Sequence, residues 1–321
     1  MILKERQVPE IILKLQAILE RLPIQHEKII LLKNDLSKFQ AGFNGEKSID
    51  FYLQPLLTQD FLILHDIRIP INNQFFQIDT LILTKKYILI LEIKNLAGTI
   101  NFDGEFNQAV QTKNGKQKAF PDPLYQLNRQ ETMLRKWLDS NQLPILPIHG
   151  LVVMSNVNAV IRANHEHFSQ KVIRPTSLSK KIKELEDYYI QATEVQEKQL
   201  KKITKRLLRM HTPLKQSILD SYGIAKEEII MGVCCERCHK YALKRRHGRW
   251  KCNGCSWVSK DAHKSAMNDY CLLFGEKITS KELQAFLKID SPSLATRLFR
   301  DLKVQREGDK KSTIYTLEYP Q

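Results

Sequence analysis

The sequence predicts an α/β protein: a mixed sheet flanked by helices, then a small cysteine-stapled segment and a helical tail closed by a hairpin. Three observations carry this expectation. Runs rich in Ile, Leu and Phe, FLILHDIRI (61–69), FFQIDTLIL (75–83) and YILILEI (87–93), are separated by turn material and read as buried strands. Segments of helical period stand before and after them. All 6 cysteines fall between Cys234 and Cys271, four of them as two C-x-x-C pairs.

At 321 residues, 42% hydrophobic and 26% charged, the chain can bury a substantial core in about two or three domains. Its opening, MILKERQVPEIILKLQAILERL, sets Glu10, Lys14 and Glu20 at helical spacing among apolar residues, so it lacks the unbroken apolar stretch of a signal peptide. No run reaches the ~18 apolar residues of a membrane span, and a cytoplasmic location is expected. Lys and Arg number 50 against 35 Asp and Glu, a formal charge of +15 that attracts phosphate backbones or anionic surfaces. From Gly232 onward 18 basic residues face 10 acidic ones, so over half of the excess lies there.

Residues 8–40 show two amphipathic helical patterns split at Leu22-Pro23, giving an N-terminal helical segment over 1–40. A further helix is expected from Glu46 to about Leu57, then the three strands and a short GTINFD strand (98–103). NGKQKAFPDP (114–123) reads as a polar loop. Leu124–Leu138 reads as a helix with Leu127, Leu134 and Leu138 on one side, and IHGLVVMS (148–155) as another buried strand. Residues 156–231 form a strand and Lys-rich helical region, the usual composition of a solvated arm.

Asp79 places a carboxylate inside an apolar run, where an unpaired charge costs several kcal/mol. Glu92 and Lys94, two residues apart at the end of the next run, share a face. If the two runs pair through the TKKY turn (84–87), Asp79 stands beside Glu92. Carboxylates so placed repel, and a cation that prefers hard oxygen ligands, magnesium or manganese, relieves the repulsion. An adjacent ammonium then orients a water while the metal stabilises charge on a phosphoryl oxygen. A surface ion pair worth at most ~1 kcal/mol and a turn-capping Asp fit the same three residues.

In order along the chain, GFNGE (Gly42, Gly45, Glu46), QIDTLIL (Asp79), EIKNLAGTI (Glu92, Lys94, Asn95, Gly98) and PLYQ (Pro123, Gln126) resemble the motifs of the nuclease-related domain, NERD, a branch of the PD-(D/E)xK nuclease-like superfamily. Four ordered motifs over about a hundred residues are more specific than Glu-x-Lys alone, which occurs once here. The resemblance runs from Gly42 to about Leu138 and implies a restriction-endonuclease-like domain over 41–155. It implies Asp79, Glu92 and Lys94 as the catalytic core, with Asp79 and Glu92 as ligands of magnesium or manganese and Glu46 and Gln126 completing the site. Taken alone, Glu46 is equally a helix N-terminal carboxylate favoured by the dipole, and Gln126 a surface residue. Where a Trp is expected after GTI, this chain has only Phe102 and Phe106, a departure that touches packing or substrate contact and leaves the metal ligands intact.

Cys235-x-x-Cys238 and Cys252-x-x-Cys255 have the spacing of a four-thiolate zinc ribbon over 232–258. Disulfides are the competitor, disfavoured in a cytoplasmic chain. Cys234 leaves an alternative register with Cys238, and Cys271 reads as a buried thiol. Between the knuckles lie Lys240, Lys244, Arg245, Arg246, Arg249 and Lys251 with Tyr241 and Trp250, a composition suited to a phosphate backbone and stacked bases, or to a solubilising hairpin whose Trp packs beside the metal. Residues 259–321 read as helix, turn, helix and hairpin, a winged-helix-like pattern. Thr279 and Glu282 form a capping box, Ser291 precedes a second helix opened by Pro292, and Gly308-Asp309 turns the hairpin. Arg297, Arg300 and Lys303 project from that second helix toward DNA; the same layout also serves protein contacts. The function expected is metal-dependent hydrolysis of phosphodiester bonds in DNA, with a non-catalytic DNA-binding scaffold or a zinc-dependent protein-interaction module as alternatives.

Overall fold

The computed structural model describes residues 1–57, 60–163, 166–302, 304–308 and 313–319. It is a mixed α/β protein with several sheets, divided into two compact units: 1–7 with 41–214, and 8–40 with 215–321. Among the described residues no helix is long and apolar enough to cross a membrane. The chain opens with β1 (Ile2–Lys4), α1 (Glu10–Arg21) and α2 (Ile29–Leu53), the last shared between the units.

The first unit continues through β2 (Leu62–Ile71), β3 (Gln74–Leu83), β4 (Ile88–Lys94), β5 (Thr99–Asp103), β6 (Gln108–Lys113), β7 (Lys116–Pro121), α3 (Pro123–Ser140), β8 (Ile148–Met154), β9 (Val160–Ala163), α4 (Glu166–Lys171), β10 (Val172–Ile173), α5 (Leu178–Tyr188) and α6 (Glu197–Met210). Six strands form the main sheet in the order β1-β2-β3-β4-β8-β10. β2, β3 and β4 are antiparallel neighbours, whereas β8 lies parallel to β4 across the α3 crossover. Strand alternation sends Leu81, Leu83, Ile88 and Ile90 to the face covered by α3 and α6, and Ile82, Leu89, Leu91 and Ile93 to the face covered by α2 and α5. Both faces are apolar, which is why these strands read as unbroken hydrophobic runs.

Two differences from the sequence reading have local causes. The helix carrying Glu46 does not start there; α2 runs unbroken through Gly42 and Gly45. A Cβ built on Gly45 would stand 2.4 Å from Asn95 Cβ and 2.8 Å from Ser155 Oγ, so this glycine permits close packing rather than ending the helix. The polar loop at 114–123 is largely β7, paired with β6 through a turn in which Asn114 and Gly115 have φ of 51° and 73°. That is the primed-turn chemistry of Asn-Gly, missed because the flanking strands are polar and lie on an outer sheet ordered β7-β6-β5-β9.

The second unit adds α7 (Ile218–Tyr222), β11 (Leu243–Arg246), β12 (Arg249–Cys252), β13 (Val258–Ser259), α8 (Ala262–Phe274), β14 (Lys277–Thr279), α9 (Ser280–Leu287), α10 (Pro292–Asp301), β15 (Gln305–Glu307) and β16 (Ile314–Thr316). Its sheets are β11-β12-β13 and β14-β16-β15. The expected caps form: the Thr279 side chain accepts from Glu282 N in a capping box, and Ser291 accepts from Leu294 N ahead of Pro292. Val233, Leu243 and Trp250 of the cysteine segment share one core with Met267, Tyr270, Phe286, Leu298 and Phe299 of the tail. The cysteine segment and the tail thus fold on a common interior. Lys303 and residues 309–312, which include Asp309 of the expected turn, lie outside the described residues.

Candidate active site and cysteine cluster

The site forms where β3 and β4 leave their ladder. Their register runs from Leu83↔Ile88 to Thr80↔Leu91, and one further step sets Asp79 across from Glu92 on the α3 face. Asp79 Oδ2 accepts from Ile93 N at 2.8 Å. Glu92 is 1% exposed, and Lys94 Nζ lies 2.5 Å from its Oε1 and 3.0 Å from Gln126 Oε1 on α3. The strand therefore ends on a buried carboxylate anchored to a half-buried ammonium rather than on a surface ion pair. α3 is placed to supply Gln126 because Asp122 caps it, accepting from Leu124 N, with Pro123 at the first helical position.

Sequence reasoning missed two partners. Gln130 is 4% exposed and donates from Nε2 to Glu92 Oε2 at 2.7 Å and to Gln77 O at 2.8 Å. Its spacing of four from Gln126, which puts both amides on one helix face, was the available signal. Arg6 donates to Glu46 Oε2 at 2.9 Å and reaches Asp50 as well. No local pattern marks it, because β1 brings it in from the start of the chain.

Three carboxylates, Glu46, Asp79 and Glu92, act on one another here, with Arg6 and Lys94 as their cationic partners. Burial pushes the Asp79 carboxyl well above the usual range, and the charges of Glu92 and Glu46 raise it further. Glu46 is pushed up to about 7 by burial, against the pull of Arg6 and with a further push from Asp66 and Glu92. Asp79 and Glu92, side by side across the strands, offer the hard oxygen donors that a divalent cation prefers, while among the described residues Glu46 does not close a three-carboxylate cluster with them. The sequence-predicted residues Asp79, Glu92, Lys94 and Gln126 thus come together, and Glu46 joins them through the field it exerts on Asp79.

Residues 41–155 match the family model NERD, the nuclease-related domain. The chain carries a nuclease-related domain. The match spans a little over a third of the sequence and contains Glu46, Asp79, Glu92, Lys94, Gln126 and Gln130, whereas Arg6 and the cysteines lie outside it. No curated protein and no solved structure matches the chain.

Beyond the NERD domain, Cys235, Cys238, Cys252 and Cys255 bring four sulfurs within 4.8 Å of one another, an arrangement that fits a zinc ribbon. Cys235 to Cys255 and Cys238 to Cys252 are each 3.6 Å between Sγ atoms. Tetrahedral Zn–S bonds require an edge of about 3.8 Å. All six cysteines are free thiols, and Cys234 and Cys271 stand outside the cluster. Cys235 and not Cys234 therefore completes the set.

The hairpin between the knuckles sorts its cations by face. Lys244↔Lys251 and Arg246↔Arg249 pair across β11 and β12, all four exposed, while Leu243, Trp250 and Cys252 point inward. His247 and Gly248 make the tight turn with φ of 45° and 77°. Trp250, expected among the nucleic-acid contacts, is buried instead: it is 0% exposed, stacks on His263 and donates to its Nδ1 at 3.2 Å. Strand alternation puts it on the core face and denies it to a base. Arg245, on the same inner face, is half-buried over the Trp250 ring and donates to Lys260 O at 3.1 Å. Arg297 and Arg300 are exposed on α10, and Arg297 lies close enough to act electrostatically on Arg245.

Proposed function

We propose that this protein is a divalent-metal-dependent nuclease that hydrolyses phosphodiester bonds in DNA, acting in the cytoplasm. The observation that carries this reading is the convergence of Asp79, Glu92 and Lys94 at the broken end of the β3–β4 ladder. Asp79 and Glu92 would hold magnesium or manganese, which when bound stabilises charge on a phosphoryl oxygen. Lys94, fixed between Glu92 and Gln126, orients the attacking water. Gln130 and the Ile93 amide hold the two carboxylates in place, and Glu46 supplies a further carboxylate. The mixed sheet, with β8 parallel to β4 behind α3, supports a restriction-endonuclease-like core over 41–155.

The zinc ribbon at 232–258 and the tail at 259–321 serve to grip the DNA. Three helices, α8, α9 and α10, with a sheet ordered β14-β16-β15, support a winged-helix-like tail in which α10 presents Arg297 and Arg300. Lys244, Arg246 and Arg249, with Lys251, meet phosphates.

The test is cleavage of single-stranded, duplex and branched DNA with each divalent ion by Asp79→Ala. Cleavage should be lost with DNA affinity nearly unchanged, because the metal acts in the transition state and the basic residues provide binding. Equal activity of the variant and the wild type would leave a DNA-binding scaffold as the function.

A further inference from the structure

Arg6 lies outside the family match, yet its side chain is 4% exposed and its guanidinium is engaged on every side. Nη1 donates to Glu46 Oε2 at 2.9 Å. Nη2 donates to Asp50 Oδ1 at 3.1 Å and Thr80 Oγ1 at 2.9 Å, and lies 3.0 Å from His65 Nδ1. Nε donates to Asp50 Oδ2 at 3.2 Å. These partners sit on α2, β2 and β3. β1 delivers Arg6 to them by pairing in parallel with β2, Ile2 opposite Ile63 and Lys4 opposite Leu64.

The arrangement answers two structural needs. Glu46 and Asp50 are four residues apart on α2, a like-charge pair that weakens a helix unless a cation lies between them. Thr80 precedes the broken end of the ladder and is the neighbour of Asp79. A planar guanidinium is suited to bridging several acceptors at once, and an ammonium is not.

We propose that Arg6 is a positioning residue of the nuclease site: it fixes Glu46 toward Asp79 and Glu92 and ties α2 to β3 beside Asp79. The N-terminal strand is then a working part of the nuclease although it precedes the matched domain. This inference rests on the nuclease reading above.

Arg6→Ala would leave two half-buried carboxylates unpaired and can fail by unfolding, so Arg6→Lys, which keeps the charge and loses the fork, is the informative variant. In the full chain, calorimetric titration with manganese alone should show affinity about 10–100-fold weaker. On duplex DNA, kcat should fall about tenfold or more while KM changes by less than about twofold. In a Glu46→Gln background, adding Arg6→Lys should cost little more, because the two residues act as a unit. A merely structural Arg6 would lower the melting temperature yet leave manganese affinity at the wild-type value and give additive effects; that result overturns the proposal. A wild type that binds manganese with the coupling intact but cuts no DNA sinks the nuclease reading and leaves the placement of Arg6 standing. A wild type that binds no manganese overturns both.

Discussion

Replacing Lys244, Arg246, Arg249 and Lys251 together by Gln should move binding and stability in opposite directions. The four are exposed and face one another across β11 and β12 as two like-charge pairs. Such pairs cost up to ~1 kcal/mol each, so their removal should raise hairpin stability by about 0.5–2 kcal/mol. If all four neutralise phosphates of a duplex, the slope of log K against log salt should flatten by about 3.6 units. Between about 50 and 200 mM salt, the variant should then lose roughly 100-fold less affinity than the wild type. Fluorescence anisotropy with a labelled duplex reads the slope, and a thermal melt of the same samples reads the stability. Arg245→Gln is the control. Arg245 lies 5.4 Å over the Trp250 ring and bonds Lys260 O, so its loss should lower the melting temperature and leave the slope alone. A quadruple variant with the wild-type slope would refute the phosphate reading, and a slope changed by Arg245 alone would move the contact to the inner face.

Elemental analysis should find about one zinc per chain, and Cys252→Ser should abolish it and shift the Trp fluorescence, because Cys252 and Trp250 share a core. Cys271→Ala should leave the zinc content unchanged, as its thiol stands outside the cluster. Burial holds His263 down to about 4, helped by the charge of Arg245. The unfolded chain protonates near pH 6.5, so stability contributed by the neutral, buried ring is present above that pH and lost as pH falls toward 4, by on the order of 3 kcal/mol in all. His263→Gln should flatten that part of a pH-stability profile, and a profile unchanged by the substitution would count against the burial argument. Gly45→Ala should destabilise by about 1–3 kcal/mol and reduce cleavage, because the new methyl meets Asn95 and Ser155 beside Glu46. Gly42→Ala, with nothing within 4 Å, should instead stabilise α2 by about 0.5–1 kcal/mol, which a denaturant titration of both variants would check.

Legible in the sequence were the four central strands of the main sheet, β2, β3, β4 and β8, together with α3, both C-terminal caps and the cysteine spacing. Each is encoded locally, in an apolar run, a Pro or Ser before a helix, or two paired thiols. The short turn between two strands and the face shared at spacing two also pointed to Asp79 meeting Glu92 and Lys94, whereas Gln126 was implied only by the resemblance to the nuclease-related domain. Tertiary structure decided what depends on distant chain. Arg6 reaches Glu46 across forty residues only because β1 joins the sheet edge. The helix expected to start at Glu46 instead runs through Gly45, where Asn95 and Ser155 close on the backbone and leave no room for a side chain. Trp250 and its neighbours Arg249 and Lys251 are equivalent by composition, and strand alternation alone sends the ring to the core and the cations to solvent. Burial of Glu92 under Gln130 is a packing result as well: a carboxylate at a strand end is ordinarily wet, and only the helix laid over it leaves it 1% exposed and held by a side-chain amide.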